Sequence, residues 1–512
     1  MVGLLTLGFA GLFWRFLRVS RDPDTSFTEA VFVREPSTLA PRIHLLGRLA
    51  PSVAYAIETS AGLVLIDSGL QPDGSDLIDQ LISLKLDESK ISAILLTHVH
   101  GDHTLGARYL RELTGAKIYA GQADCEPLRD GGPREAFFST FAMEGVFPHG
   151  TQVDVELVGG EVLHFGDTRI EVIATPGHTP GSLCYVAQIG HQRIFFGGDT
   201  ISSLIGDLGT YAAYLAPRYR GNARDYLDSL RKLRAMPAPN LILPGHPNDQ
   251  GQPHSPRLSK SQWHELLDRG IQEMQALVAR YDADGEDFLD GHPKKLLPGL
   301  YYLGDYKARA IFAIDTGTGQ LLFDAPGDEG LAAFVSERLR KAGVAEPALS
   351  AVLLTSTDEA TTAGLRKVTQ TWDCRVVAPA DSHAALRDVC SDSTQLMTPS
   401  DFSKAGSFSM RALPLDGFGS GATAYSFQQH EHDVLVSGTV PSTLGFYSIE
   451  QLDKFIRGRR PSYQDFARSL SSLSDLRPNL WLPAYPTNGQ NANLYDDQWN
   501  DYLIGNLRRL GG

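Results

Sequence analysis

The 512-residue chain has little cysteine, no excess of basic charge and no apolar run long enough to cross a membrane. Its four cysteines, Cys125, Cys184, Cys374 and Cys390, are scattered without CxxC spacing. That excludes a disulfide framework or a thiolate metal cluster and leaves buried free thiols. Lysine and arginine number 46 against 60 aspartates and glutamates, a formal net charge of −14. A broad grip on nucleic acid needs clustered cations that displace counterions from phosphates, so no nucleic-acid partner is expected. The N-terminal apolar run up to Arg15 is shorter than the roughly 20 residues that span a bilayer, and it lacks the basic n-region of a signal peptide. With Arg15, Arg18 and Arg21 following it, the segment 1–27 reads as a short anchor, an interfacial helix or the remnant of a longer leader, with a helix docked on its own domain as the alternative. The anchor reading puts the chain at a membrane, through residues 1–20, rather than free in the cytoplasm.

Low-complexity tracts are also missing, and 42% hydrophobic with 21% charged residues is the composition of a globular protein. The length calls for two or three domains. From Ile43 onward, short β-rich runs (IHLLGRL, SVAYAIET, GLVLIDSG, ISAILLTH) alternate with amphipathic stretches at Asp76 to Leu86 and Leu105 to Leu113. This is the order of α/β layers with helices on the outer faces of sheets. A long amphipathic helix from Trp263 to about Arg280 precedes the acidic stretch YDADGEDFLDGHP, which lacks EF-hand spacing and reads as a solvated linker. The expected divisions are 28–280, an acidic linker at 281–297, and 298–512.

The two halves repeat one another at a distance too long for a solenoid, which predicts a duplicated domain. LVLIDSG (Leu63 to Gly69) answers to QLLFDAPG (Gln320 to Gly327), and Ile91 to Gly106 answers to Leu349 to Gly364. Asp324 and Thr355 then match Asp67 and Thr97. APNLILPGHP answers to RPNLWLPAYP, and Gln262-Trp263 to Gln498-Trp499.

The chemistry concentrates in the first half. Thr97-His98-Val99-His100-Gly101-Asp102-His103 directly follows the apolar run ISAILL, so a buried strand ends there in a loop. Three imidazoles and a carboxylate in one turn repel one another or stay unsatisfied unless a cation joins them, and this donor set suits zinc or iron. His178 in TPGHTPGS, Asp199 in FFGGDT and His246 in LILPGH each end a strand-like run beside a glycine that permits close approach. Together these seven residues are about what two metal ions sharing one carboxylate need, with positions left for water and substrate.

With its HxHxDH motif met by His98 to His103, the chain resembles the metallo-beta-lactamase superfamily over roughly Ile43 to Arg280. The resemblance implies an αββα sandwich with the site at one edge of two sheets. It also implies His98, His100 and His178 on one metal, Asp102, His103 and His246 on the other, and Asp199 between them. Asp67 would orient a site residue by hydrogen bonding. The cofactors implied are two divalent ions, zinc foremost, with iron or manganese as alternatives. A bridging hydroxide would then serve as nucleophile near neutral pH, with Asp102 as the catalytic residue that holds or relays its proton.

Within the superfamily the PGHTPGS and GGDT motifs are most similar to those of glyoxalase-II-like (hydroxyacylglutathione) hydrolases. This implies an ester, thioester or lactone of a small molecule as substrate. The glutathione-binding C-terminal helices of those enzymes are not recognisable in this chain. Zinc β-lactamases commonly carry cysteine at the position of Asp199. Three alternatives stay open: a persulfide dioxygenase with one iron, a phosphodiesterase or nuclease, and a non-enzymatic binding module.

The second half reads as a copy without metal ligands. Ser356, Asp358, Ala360 and Thr361 stand where the first half has His98, His100, Asp102 and His103. Thr439 stands for Asp199, Tyr485 for His246, and Asp416 or Phe418 for His178. The His430-Glu431-His432 cluster falls at the counterpart of the Gly190-His191-Gln192 turn and reads as an exposed hairpin. The expectation is that this half either packs on the first and shapes or covers the substrate cleft, or is an inert partner retained for stability.

Overall fold

The structure is a computed structural model. It describes residues 35–49, 51–131, 150–204, 220–246, 255–307, 309–404, 408–415, 421–438, 440, 463–484, 486, 491–494 and 498–509. The N-terminal segment expected to touch a membrane lies outside them. Among the described residues no helix is long and apolar enough to cross a membrane. The chain divides into two compact units, Met1–Ala283 and Asp284–Gly512.

In the first unit, strands β1 (Ser37–Ala40), β2 (Ile43–Leu46), β3 (Ala54–Thr59), β4 (Gly62–Ile66), β5 (Ile91–Leu95), β6 (Lys117–Gly121) and β7 (Val155–Leu157) form one sheet in sequence order. The pairs are antiparallel up to β4 and parallel from β4 to β7. Strands β8 (Val162–Phe165), β9 (Thr168–Ala174), β10 (Leu183–Ile189), β11 (Gln192–Gly198) and β12 (Leu241–Pro244) form the second sheet, in which β11 and β12 are parallel. In strand β9, Thr168, Ile170 and Val172 are buried while Arg169 is exposed and Glu171 half-buried, the period of two of a strand with one face on a core. Val64, Ile66 and Leu95 of the first sheet and Ile170, Val172, Tyr185, Phe196 and Leu243 of the second meet in that core. Each fully buried side chain of this kind contributes about 1.5–3 kcal/mol.

Helices cover the outer faces. Ser75–Ser83 buries Leu77 and Leu81, and Ala107–Thr114 lies against β5 and β6 with Leu110 inward. Trp263, on the helix Lys260–Asp284, packs edge-on against Phe195, which points away from the inter-sheet core that takes Phe196. The layers are therefore αββα. The periodic stretches at Asp76 to Leu86 and Leu105 to Leu113 are helical over these narrower spans, and the long helix runs one turn beyond Arg280. All four cysteines are free and buried, and burial pushes the Cys184 thiol up to about 12.

In the second unit, β13 (Lys294–Leu297), β14 (Leu300–Tyr306), β15 (Arg309–Asp315), β16 (Gln320–Phe323), β17 (Leu349–Leu353), β18 (Arg375–Val377) and β19 (Leu396–Met397) again form a sheet in sequence order. Strands β20 (Arg411–Pro414), β21 (Thr423–Gln429), β22 (His432–Gly438) and β23 (Leu480–Pro483) form another. The anchoring bonds repeat as well. Asp324 N–H donates to Leu353 O at 3.0 Å as Asp67 N–H does to Leu95 O at 3.0 Å, and both aspartates have φ 64°. Tyr425 OH donates to Leu354 O (2.8 Å) as Tyr185 OH does to Leu96 O (2.7 Å). His430 and Glu431 form the exposed turn between β21 and β22.

The stretch 281–297 differs from a solvated linker. Asp287, Phe288 and Leu289 are buried, Asp287 accepts from the backbone and side-chain amides of Asn493 (both 2.7 Å), and β13 begins at Lys294. Its acidic composition conceals partners two hundred residues away.

Candidate metal centre

Every donor sits where a strand ends at one edge of the first unit. Strand β4 runs into Asp67, whose positive φ turns the chain sharply, and β5 runs into the loop Thr97–His100 and the short helix Gly101–Thr104. Strand β9 leads to His178, β11 to Asp199 and β12 to His246. The carboxyl ends of β-strands are the usual place for a ligand in α/β folds. The His178 loop is braced from behind by helix Ala223–Ala235: Asn222 N–H, at its cap, donates to Gly177 O (2.9 Å), and Ser229 Oγ, midway along it, to Pro176 O (2.7 Å). Gly177 must be glycine, since its φ is 135° and a Cβ would fall 2.3 Å from Tyr226 Cα.

The seven predicted donors converge in two groups: His98, His100, His178 and Asp199, and Asp102, His103 and His246. In the first, His98 Nε2 and His178 Nε2 lie 3.0 and 2.9 Å from His100 Nδ1, and Asp199 Oδ2 lies 3.4 Å from His178 Nε2. In the second, Asp102 Oδ2 is 3.5 Å from His103 Nε2 and 3.6 Å from His246 Nε2. Asp199 belongs to both, since its Oδ1 is 3.3 Å from His103 Nε2 and its Oδ2 3.1 Å from His246 Nε2. Gly245 makes room for it, because a Cβ there would meet Asp199 Oδ1 at 2.2 Å.

The groups behind the rings set which nitrogen carries a lone pair. Asp67 Oδ1 accepts from Thr97 N–H (2.7 Å), and Oδ2 accepts from Thr97 Oγ1–H (2.9 Å) and His103 Nδ1–H (2.8 Å). Having donated to Asp67, Thr97 Oγ1 accepts from His98 Nδ1–H at 3.0 Å. His246 Nδ1–H donates to Pro51 O at 2.9 Å. In all three the Nε2 lone pair is directed into the site, the tautomer a cation requires.

The electrostatics divide the histidines: His98 and His100 are held toward the neutral form, and His103 and His246, facing carboxylates, toward the charged one. Burial, then the neighbouring imidazoles, hold His98 and His100 well below the ordinary histidine value, so both favour the neutral, ligating form. Burial also raises Asp102. At His103 burial is outweighed by Asp102, Asp199 and Asp67, which raise it, and at His246 by Asp199 and Asp102. Burial works against the Asp199 carboxylate as well, but His246 and His103 hold it well below the usual range. Asp199 Oδ1 is buried without a hydrogen bond, a costly state for a carboxylate oxygen. Zinc–nitrogen bonds of about 2.0–2.1 Å at tetrahedral angles separate donor atoms by roughly 3.3 Å, close to the spacings found. The donor set therefore fits divalent metal, with Asp199 shared.

Two contributors carry no motif. Asp124, in the turn after β6, accepts hydrogen bonds from the loops of His98/His100 and His178, and burial pushes it up to about 6. Ser52 Oγ donates to Asp102 O at 2.5 Å. Their shared signal is position: both lie at the same sheet edge as the donors.

In the second unit Asp324 keeps its grip on Thr355, accepting from N–H (2.7 Å) and Oγ1–H (2.6 Å). Ser356, Asp358, Ala360 and Thr361 follow without an imidazole. Arg309 enters instead. It is 4% exposed, it occupies the register of Ser52, and its Nη1 donates to Ala360 O (2.8 Å) and Thr361 Oγ1 (2.6 Å). Burial raises Asp324, and the Arg309 charge counters that. Asp416, Phe418, Thr439 and Tyr485 lie outside the described residues.

Comparison with known proteins agrees with this site. The profile of the "Metallo-beta-lactamase superfamily" matches residues 47–246. A hydroxyacylglutathione hydrolase of Cereibacter sphaeroides is 30% identical over 158 residues, 31% of this chain and 49% of that protein. The chain thus spans about half the length of that relative. A hydroxyacylglutathione hydrolase of Rhodospirillum rubrum is 28% identical over 253 residues (49% of this chain, 80% of that protein), and an uncharacterised protein of Mycobacterium leprae is 30% identical over 204 residues (38% and 85%). Among solved structures, a subclass B3 metallo-beta-lactamase of Bradyrhizobium japonicum aligns with 49% of this chain and 95% of its own at 25% identity, with a TM-score of 0.39. With the motif-bearing residues 47–246 matched, two layered sheets and both His/Asp groups assembled at their edge, the chain belongs to the metallo-beta-lactamase superfamily.

Proposed function

We propose that the first unit is a two-metal hydrolase that cleaves an ester, thioester or lactone of a small molecule, with zinc as the foremost metal. The observation that carries this is Asp199, whose two oxygens face both donor groups. His98, His100 and His178 would hold one ion and Asp102, His103 and His246 the other. Bound there, the ions would lower the pKa of water toward about 7 and polarise a carbonyl oxygen. A dioxygenase with a single iron would leave one of the two complete groups idle. The hydroxyacylglutathione hydrolases among the relatives favour the thioester.

The chain's own residues supply the rest. The side chain of His246 is 14% exposed and that of Asp199 9%, against 0–4% for Asp102, His103, His98 and His178, so substrate approaches over His246 and Asp199. Asp102, raised by burial, would take and return the proton of the attacking water. The test is metal content by elemental mass spectrometry together with turnover of a hydroxyacyl thioester, a simple ester and a lactone. Two metals and hydrolysis of one of these support the proposal, and a single iron or no metal overturns it. Asp102→Asn is expected to abolish most turnover, and a variant with both metals and full activity would remove the proton role. A membrane address through residues 1–20 is part of the same proposal. Deleting the residues before Arg21 should move the chain to the soluble fraction, and an unchanged soluble pool would refute it.

A further inference from the structure

Building on the two-metal reading, we propose that Asp124 is a positioning residue for the His98, His100, His178 and Asp199 group, clamping together the two loops that carry its three histidines. Asp124 is 1% exposed, and its hydrogen bonds come from Val99, Thr179 and Gly181 and not from a donor side chain. Its Oδ2 accepts from Val99 N–H (3.1 Å), between His98 and His100, and from Thr179 Oγ1–H (2.6 Å), next to His178. Its Oδ1 accepts from Gly181 N–H at 2.9 Å. One loop follows β5 of the first sheet and the other joins β9 and β10 of the second, so this carboxylate ties the sheets together at the spacing of one donor group.

The fit is built at backbone level. A Cβ on Gly181 would meet Asp124 Cγ at 2.6 Å, and one on Gly121 would meet Gly181 O at 1.9 Å. Burying a carboxylate is costly, and burial indeed pushes this one up to about 6, so a side chain serving only the fold would be better uncharged.

The second unit supplies that comparison. Gly421 stands where Gly181 does: Thr423 N–H donates to Thr355 O at 2.9 Å as Leu183 N–H does to Thr97 O at 2.7 Å. A Cβ on Gly421 would meet Ser382 Oγ at 2.7 Å, so Ser382 holds the place of Asp124. The Asp324 to Thr355 clamp persists in a unit that has lost its histidines, whereas the Asp124 carboxylate does not. The first clamp is common to both units, and the second accompanies the donors.

The test uses the full chain, stripped of metal, with Asp124→Ser, which installs the second unit's residue, and Asp124→Asn, which keeps one acceptor. Zinc affinities come from chelator competition, and cobalt(II) visible spectra report the geometry of the group. Wild type should bind two ions. Asp124→Ser should weaken one site by roughly 10- to 100-fold and alter its cobalt bands, with the other site unchanged, while Asp124→Asn falls between. Two unchanged affinities and spectra would overturn the proposal, as would a parallel loss at both sites with a lowered metal-free melt, or variants that do not fold. A wild-type chain that binds no metal would instead remove the two-metal reading on which the proposal stands.

Discussion

Asp67→Asn takes one charge and one acceptor from a residue that meets no metal. Asparagine tolerates the left-handed φ of 64°, so the turn after β4 survives. The amide oxygen can still accept from Thr97 N–H, now 2.7 Å from Oδ1. Its NH2 group then faces Thr97 Oγ1 and His103 Nδ1, at the 2.9 and 2.8 Å now spanned by Oδ2. Two donors cannot share that contact. His103 must move its proton to Nε2, the atom directed at Asp102, Asp199 and His246, and so ceases to be a ligand. A charge-assisted hydrogen bond of this kind contributes about 1.5–3 kcal/mol, which at 1.4 kcal/mol per decade is roughly a 10- to 100-fold loss of affinity. The loss should fall on the Asp102, His103 and His246 site. Asp324→Asn is the control, because it breaks the same bonds to Thr355 at the same φ where no histidine follows. Zinc titration against a competing chelator, paired with thermal melts, separates the two. Both variants should lose stability, and Asp67→Asn alone should lose one zinc affinity. Unchanged affinities in Asp67→Asn would refute the tautomer argument.

Asp199→Ala should lower metal content at both sites, read by elemental mass spectrometry, because its oxygens face His178, His103 and His246; two retained ions would exclude a shared ligand. Asp328 is held down to about 2 by Lys307 first, then by Tyr306 and Gly330 N–H. A lowered carboxylate contributes stability that is complete above its unfolded pKa of about 3.8 and fades as pH falls toward about 2. The melting-temperature gap between wild type and Lys307→Ala should therefore narrow from about pH 5 to about pH 3, and a constant gap would contradict that assignment.

The donor set was legible because the chemistry is dense. Four donors within six residues after a buried strand leave little besides a cation to satisfy them, and Asp199 and His246 each end a strand beside glycine. Asp124 was not legible, because a lone aspartate after YAGQA resembles any turn residue. Two of its three partners, Val99 and Gly181, offer backbone N–H groups, which have no side-chain signature. Arg309 was hidden for a related reason: its meaning depends on register with Ser52, and the alignment of the halves began later, at the β4 counterpart. The stretch around Asp287 misled through composition, since acidic residues suggest solvent until partners such as Asn493 are known.

Arg309 gives the two units different relations to their surroundings. On the two-metal reading, an ion held by the first unit would exchange with the medium, and the cohesion of that sheet edge would follow the supply of metal and the presence of chelators. The guanidinium of Arg309 is tethered by its own backbone and donates to Ala360 O and Thr361 Oγ1, so this contact in the second unit draws on nothing that exchanges with the medium. On that reading, metal starvation should loosen the donor edge of the first unit and leave the Arg309 contact of the second in place. Calorimetry in the presence of a chelator should therefore shift one unfolding transition and leave the second in place.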